Sequence, residues 1–455
     1  MSADDLSSID EDDTFPLDTA LPLTLLLGNV DHEGVLSSLS ASKRQYKKKV
    51  LESLPKNWES IVAYFDEFSV SCVLVKLTPH TFRLLAHNDY KLVRERLFSR
   101  IATVPNIVFI FEDLLTGQQQ DKWKEEYRPY PSSDLIEEVL TWMDSFELEL
   151  IPYRKNAEVT VLAESFLDDT EKNLILRLYV PSGRIWAAEA DRLFQLFRDY
   201  LGRVEHLSVR LDQRRTEQGV IYEFHGETAK EQSELNNEFD EFLRLMEFCA
   251  SNIGAAEALL VSKSINSRDV ADIVSRYSKE AKRLQVDLKQ ERERKLLGIR
   301  HRLESELVDV NTTAVDWAEI AQIIDATIPS VTGASSVLLH NASGLPKELL
   351  GGNVTINVRP QIVQSVNAIV AQEIYGNQYL TQEDHQLLQL ISEHGGAKAK
   401  ELESSVHELA DKSVPHADRL GAKQKLKKFL IEVGKKSADV AFGVLQTYIE
   451  KQMGL

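Results

Sequence analysis

The 455-residue chain predicts an α/β plus α+β fold. The expected order is a small N-terminal doubly wound parallel-sheet domain, a central strand-strand-helix-strand-strand module, then a long helix and a mainly helical C-terminal region. Three observations predict it. The runs at residues 23–27 and 107–111 are almost continuously apolar, as strands covered on both faces of a parallel sheet are. Helical stretches alternate with such runs up to about residue 154, which implies parallel crossovers. Residues 267–309 then hold no proline and one glycine, Gly298, enough for a helix of roughly 60 Å at 1.5 Å per residue.

In chain order, residues 1–16 read as a flexible acidic tail, with Asp4, Asp5, Asp10, Glu11, Asp12 and Asp13 and few apolar groups. Residues 17–154 form the α/β domain, with strands at 23–27, 70–77, 106–111 and 148–152. Its helices fall at 42–54, 58–65, 91–101 and 134–146. Asp134 with Glu137 supplies an N-cap pattern for the last. Residues 155–228 form the small α+β module: strands at 159–163 and 174–180, a helix around 193–201, and a strand pair near 207–211 and 220–224. Leu174, Leu176, Leu178 and Val180 alternate with polar or outward positions, the period of a half-buried strand.

Residues 229–310 read as a helical hairpin ending in the long helix. Apolar positions recur from Val270 to Leu288 and again from Leu296 to Leu307, with residues 290–295 carrying no apolar side chain. Two separated apolar groups argue against one uninterrupted coiled-coil seam. Residues 311–418 form a mixed, mainly helical domain in which Thr381 and Asp384 make a capping-box variant. Residues 419–455 form an amphipathic terminal helix with an apolar stripe through Leu430, Val444 and Tyr448.

Composition narrows the function. A formal charge of −18 disfavours nucleic acid, whose phosphates require a positive field. Cys72 and Cys249 are two thiols in apolar surroundings, too few for a disulfide framework or a cysteine zinc site. No apolar run reaches the length of a membrane span, and the acidic N-terminus is unlike a signal peptide; the expectation is a cytoplasmic protein. Neither G-x-x-x-x-G-K-[ST] nor a G-x-G-x-x-G after the first strand occurs, and no metal-ligand spacing is present. No cofactor and no metal are therefore expected, while a small-molecule or nucleotide ligand stays open.

Open α/β sheets take ligands beyond the carboxyl ends of their strands. That rule selects Asp31, His32 and Glu33 after the first strand, His80 after the second and Glu112 after the third. These are candidates for acid–base work, although Asp, His and Gly are also ordinary loop residues. The basic cluster Lys43, Arg44, Lys47, Lys48 and Lys49 reads either as a solvated helix face or as an attractor of phosphate.

The size and element order of residues 17–154 resemble the TIR domain family, which includes adaptors and NAD-cleaving enzymes. Its enzymes use a helix-borne glutamate, and the resemblance implies Glu95, on the helix after the second strand, for that role.

Residues 276–302 hold ten basic and four acidic side chains, a local excess of positive charge in an acidic chain. Lys282, Arg283, Lys289, Arg292, Arg294 and Lys295 carry it. The cluster reads as a solvated face laced with i,i+4 pairs, as a surface that docks on an acidic part of this chain or of a second copy, or as a phosphate track. Aromatics for base stacking are missing apart from Tyr277. The expected function is a non-catalytic interaction or sensor protein that self-associates or binds a protein partner through its helices, an architecture frequent in bacterial signalling and antiviral defence. The alternative is a TIR-like or other nucleotide- or NAD-processing effector with its site at the strand ends of residues 17–154.

Overall fold

The computed structural model describes residues 17–30, 33–116, 130–146, 148–182, 187–226, 235–306, 317–318, 320–321, 381–434 and 441–452. The chain divides into two compact units, one made of residues up to Asn173 together with 427–438, the other of Leu174–Leu426 and the remaining C-terminal residues.

The first unit alternates strand and helix: β1 (Leu23–Leu27), α1 (Glu33–Ala41), β2 (Gln45–Lys49), α2 (Pro55–Glu67), β3 (Val70–Leu77), α3 (Pro79–Ala86), α4 (Lys91–Ile101), β4 (Asn106–Phe111), α5 (Glu112–Thr116), α6 (Ser133–Met143), β5 (Leu150–Tyr153) and α7 (Asn156–Glu171). The five strands form one sheet in the order β2-β1-β3-β4-β5, with every adjacent pair parallel. All five residues of β1 are buried, which is why its sequence is apolar apart from Thr24. The core beneath the helices is built on Trp58, Phe82, Phe98, Ile110 and their neighbours.

Two elements differ from the sequence reading. Residues 42–54, expected as a helix, contain β2 instead. Gln-Tyr-Lys-Lys-Lys lacks a strand's apolar alternation, but β2 sits at the sheet edge and pairs only with β1. Edge strands commonly carry lysines, which discourage pairing with other chains. The basic cluster is therefore an edge strand and its approach, with Lys43 turning the chain at φ +55°.

Residues 159–163, expected as a strand, lie in α7. Their local β-branched character is outweighed by apolar residues at helical spacing: Val159, Leu162, Ala163 and Leu167 are all buried. Glu158 starts the helix by accepting from the backbone N–H groups of Arg154 (2.8 Å) and Lys155 (3.3 Å). At α6, the capping oxygen belongs to Ser132, which accepts from Leu135 N, with Asp134 in the first turn.

The second unit opens with β6 (Leu174–Pro181), α8 (Ala187–Arg203), β7 (Arg210–Arg215) and β8 (Gly219–His225). These strands form an antiparallel sheet of order β6-β8-β7, so the expected five-element module lacks its first strand. Then come α9 (Leu235–Ser251), α10 (Ile253–Ser262), α11 (Ser267–Glu306), α12 (Gln382–His394), α13 (Ala399–Ala410), α14 (His416–Gly434) and α15 (Ala441–Lys451). The last part of α14 belongs to the first unit by its contacts. Phe194, Phe197, Tyr200, Phe224, Phe239 and Phe242 make an aromatic cluster between the sheet, α8 and α9.

Helix α11 is one uninterrupted 40-residue helix. Val270, Ile273, Val274, Tyr277, Ala281, Leu284 and Leu288 are buried, as are Ile299 and Leu303, and residues 290–295 between them are exposed or half-buried. The two-group reading of its apolar pattern therefore holds. The capping box at α12 is also present: Thr381 Oγ1 accepts from Asp384 N (3.2 Å), and Asp384 Oδ2 accepts from Thr381 N (2.9 Å). Among the described residues, no helix is long and apolar enough to cross a membrane.

Candidate functional site

The carboxyl edge of the parallel sheet is where ligands of open α/β folds bind, at the point where crossovers diverge. Here that point lies between β1 and β3. Gly28 leaves β1 at φ +69°, and a Cβ on it would sit 2.5 Å from the carbonyl oxygen of Lys76, so the two strand ends approach as only glycine permits. Lys76 is buried; its Nζ donates to Asn156 Oδ1 (2.9 Å) and Asn29 O (3.4 Å) and lies 5.5 Å from the centre of the Tyr153 ring. Burial, and then the charge of Glu52, push the Tyr153 phenol upward. Thr78 caps α3 by accepting from Thr81 N (3.2 Å) and donates to Glu52 Oε1 (2.7 Å).

At the end of β4 stands Glu112, 2% exposed. Its Oε2 is 2.7 Å from Arg154 Nε and also pairs with Lys427 Nζ. Lys427 reaches it from α14 across 315 residues of sequence. An ion pair with both side chains 3% exposed demands good geometry and a second partner to offset desolvation, and Arg154 is that partner.

The sequence candidates thus have separate surroundings. His80 Nδ1 accepts from Arg83 (2.9 Å). Glu95 Oε1 accepts from Trp142 Nε1 (2.6 Å); Trp142 lies in the last turn of α6, which returns the chain to the start of β5. Glu95 is thereby held toward the amino edge of the sheet, away from the carboxyl edge where Glu112 sits. Asp31 and His32 lie outside the described residues, as does the side chain of Glu33.

The interaction candidates also separate. Lys282, Arg283, Lys289 and Arg294 are exposed on α11, and Arg292 and Lys295 are half-buried. Arg294 pairs with Glu291 (2.5 Å) and Arg283 approaches Asp287 (3.9 Å). Leu430 is fully buried and unavailable to a partner, because α14 is lined by buried residues on more than its apolar face, Lys423 and Lys427 included. Tyr448 is half-buried and its hydroxyl accepts from Thr381 Oγ1 (2.9 Å). The side chain of Val444 lies outside the described residues.

The second unit holds ionic clusters of its own, two of them around Arg177 and Lys263. Arg177 on β6 meets Glu408 (2.5 Å), Asp418 (2.9 Å) and Glu223 (3.2 Å). Burial lowers its pKa, and Glu408 with Asp418 and Glu223 more than reverses that. Beside it, Tyr179 N donates to Ser404 Oγ (2.7 Å) and Tyr179 Oη to Asp411 Oδ2 (2.8 Å), so α13 satisfies the edge of β6. The carboxylates of Glu205, Glu238 and Glu241 converge closely enough to suit a cation, and the ammonium of Lys263 stands among them at 2.5, 3.2 and 2.5 Å. Burial lowers that ammonium's pKa, but Glu205 and the other two carboxylates raise it on balance.

Sequence reasoning missed Lys76, Arg154, Arg177 and Lys427. Arg177 had a signal, a charge inside an alternating strand. Lys427 had none, since a pairing over 315 residues leaves no local trace. No family model, curated protein or solved structure matches the chain.

Proposed function

We propose that this chain is a non-catalytic interaction protein that associates with a protein partner through its helical regions. The observation that carries the reading is the state of the carboxyl edge of the parallel sheet. A general acid or base must be within hydrogen-bonding reach of a substrate proton. Glu112 instead pairs with Lys427, both side chains 3% exposed, and with the more exposed Arg154, and Glu95 is committed to an indole. The described side chains of α11, by contrast, include cations in open solvent.

The second reading is a TIR-like or other nucleotide- or NAD-processing effector, favoured by the doubly wound parallel sheet of residues 17–154. One experiment separates the two. Micromolar protein is incubated with NAD, ATP or GTP, the products are resolved by chromatography, and binding is followed by thermal shift. Intact nucleotides and an unmoved melting curve support the interaction reading. Cleavage of any of them, abolished in Glu95→Gln or Glu112→Gln, overturns it.

A further inference from the structure

We infer that the second unit pairs with a second copy of this chain, α10 of each copy docking on α11 of the other; the inference rests on the interaction reading and names its partner. Among the described residues of this unit, four large apolar side chains are strongly exposed: Ile253 (50%), Val261 (57%), Val286 (53%) and Leu297 (65%). All four fall on two consecutive helices. Single exposed apolar residues are ordinary, but a concentration of them marks a contact surface.

The two faces differ in a way that makes them complementary. On α10, Ile253, Glu257 and Val261 recur at i, i+4 and i+8 on one exposed stripe, and Glu257 is the only charged residue of that helix. On α11, exposed Lys279, Lys282, Lys289 and Leu297 run with Val286 along one side, with exposed Gln290 and Glu293 between the two apolar groups, and among the described residues these three lysines have no ion-pair partner. A stripe of two apolar groups and one carboxylate therefore meets a stripe of two apolar groups in which three ammonium groups outnumber the one carboxylate. Because both stripes are on every copy, a two-fold arrangement forms the contact twice and closes it.

Size sets the strength. The α11 stripe from Lys279 to Leu297 is about 27 Å long, and α10 about 15 Å, each about 10 Å wide. Each contact overlaps only over the length of α10, so reciprocal docking covers roughly 300 Å² of face per copy, or about 600 Å² in all, which belongs with weak, transient contacts rather than obligate dimers. Nucleic acid is the weaker occupant, since exposed aliphatic groups lie in the stripe where stacking aromatics would be needed.

Sedimentation equilibrium of the full chain, over a concentration series reaching about 100 μM, tests this at the strength expected of a contact this size. The wild type is expected to show a reversible monomer–dimer equilibrium. Val261→Lys, which sets an ammonium group against the lysines of α11, and Val286→Asp, which sets a carboxylate against Glu257, should each weaken it by at least about tenfold. Circular dichroism should show both folded, as exposed sites allow. An equimolar mixture of these two variants should regain part of the association, because one of the two contacts is then intact. Leu92→Asp, at an 82% exposed site of the first unit, should change nothing.

A wild type that stays monomeric overturns the inference. So does a dimer that survives both valine substitutions, a mixture that regains nothing, or extra mass that proves to be nucleic acid by its absorbance. A monomer leaves the interaction reading standing with another partner, whereas nucleotide cleavage removes that reading whatever the oligomeric state.

Discussion

Two of the places where this chain gathers charge treat it in opposite ways. At the carboxyl edge of the parallel sheet, Glu112, Arg154 and Lys427 form a cluster in which Glu112 and Lys427 are 3% exposed. On α11, Lys279, Lys282 and Lys289 stand in solvent. A desolvated charge must be answered from within the fold, and once answered it is poorly available for chemistry. A solvated charge contributes little to stability and stays free to meet a partner. At the sheet edge Glu112 is thus held by the fold, while the exposed lysines of α11 are held by none of the described residues.

The largest effect that sharpens this contrast is expected at Glu112. Glu112→Leu leaves Lys427 buried without its carboxylate, and loss of one partner from a buried pair costs about 3–5 kcal/mol. Urea unfolding should show that loss as a lower midpoint with an unchanged slope. Combining it with Lys427→Met should restore much of it, since two apolar groups leave one fewer charge to satisfy. A Glu112→Leu protein as stable as wild type would mean that the cluster is solvated and that the edge is open.

How much of this was legible in the sequence depends on the range of the interaction. β1, β3 and β4 announced themselves because strands buried on both faces favour nearly continuous apolar runs. The two buried groups of α11 were equally plain, since helical spacing is local. β2 was not legible, because pairing with β1 gives Gln45–Lys49 a strand that its own residues do not ask for. Residues 159–163 misled because β-branched Val159, Thr160 and Val161 mask a helical spacing that Leu167 completes. The strand-end rule singled out Glu112, but its partners, at residues 154 and 427, are set by tertiary structure alone.

A middle-sized effect is expected at Asp411, which has a paired carboxylate of a different kind. Burial raises its pKa, but hydrogen bonds from the hydroxyls of Thr216, Ser413 and Tyr179 outweigh burial and lower it on balance. A carboxyl whose folded pKa lies below its unfolded value stabilises the fold above the unfolded value, near pH 3.9, and loses that contribution as pH falls through the folded value. Asp411→Asn should therefore cost about 1.5–3 kcal/mol at neutral pH, the range for a hydrogen bond to a charged group. The gap to wild type should close in acid. Urea midpoints of both proteins from neutral pH to pH 3 check this. A gap that is constant with pH would assign the effect to packing around Tyr179 instead.

The smallest effect belongs to the lysines of α11, and it is the most discriminating because it is small. Lys282→Ala and Lys289→Ala each remove a full charge, as Glu112→Leu does, yet both side chains are exposed. Surface substitutions away from caps, networks and strained backbone fall within about 0.5 kcal/mol, and alanine has the higher helix propensity. The urea midpoint should therefore hold or rise slightly, while the dimer constant weakens, more at low ionic strength than at high, because exposed charges are screened. If either substitution lowered the midpoint as Glu112→Leu is expected to, that lysine would be serving this chain's own fold, and α11 would have no free cationic face to offer a second copy.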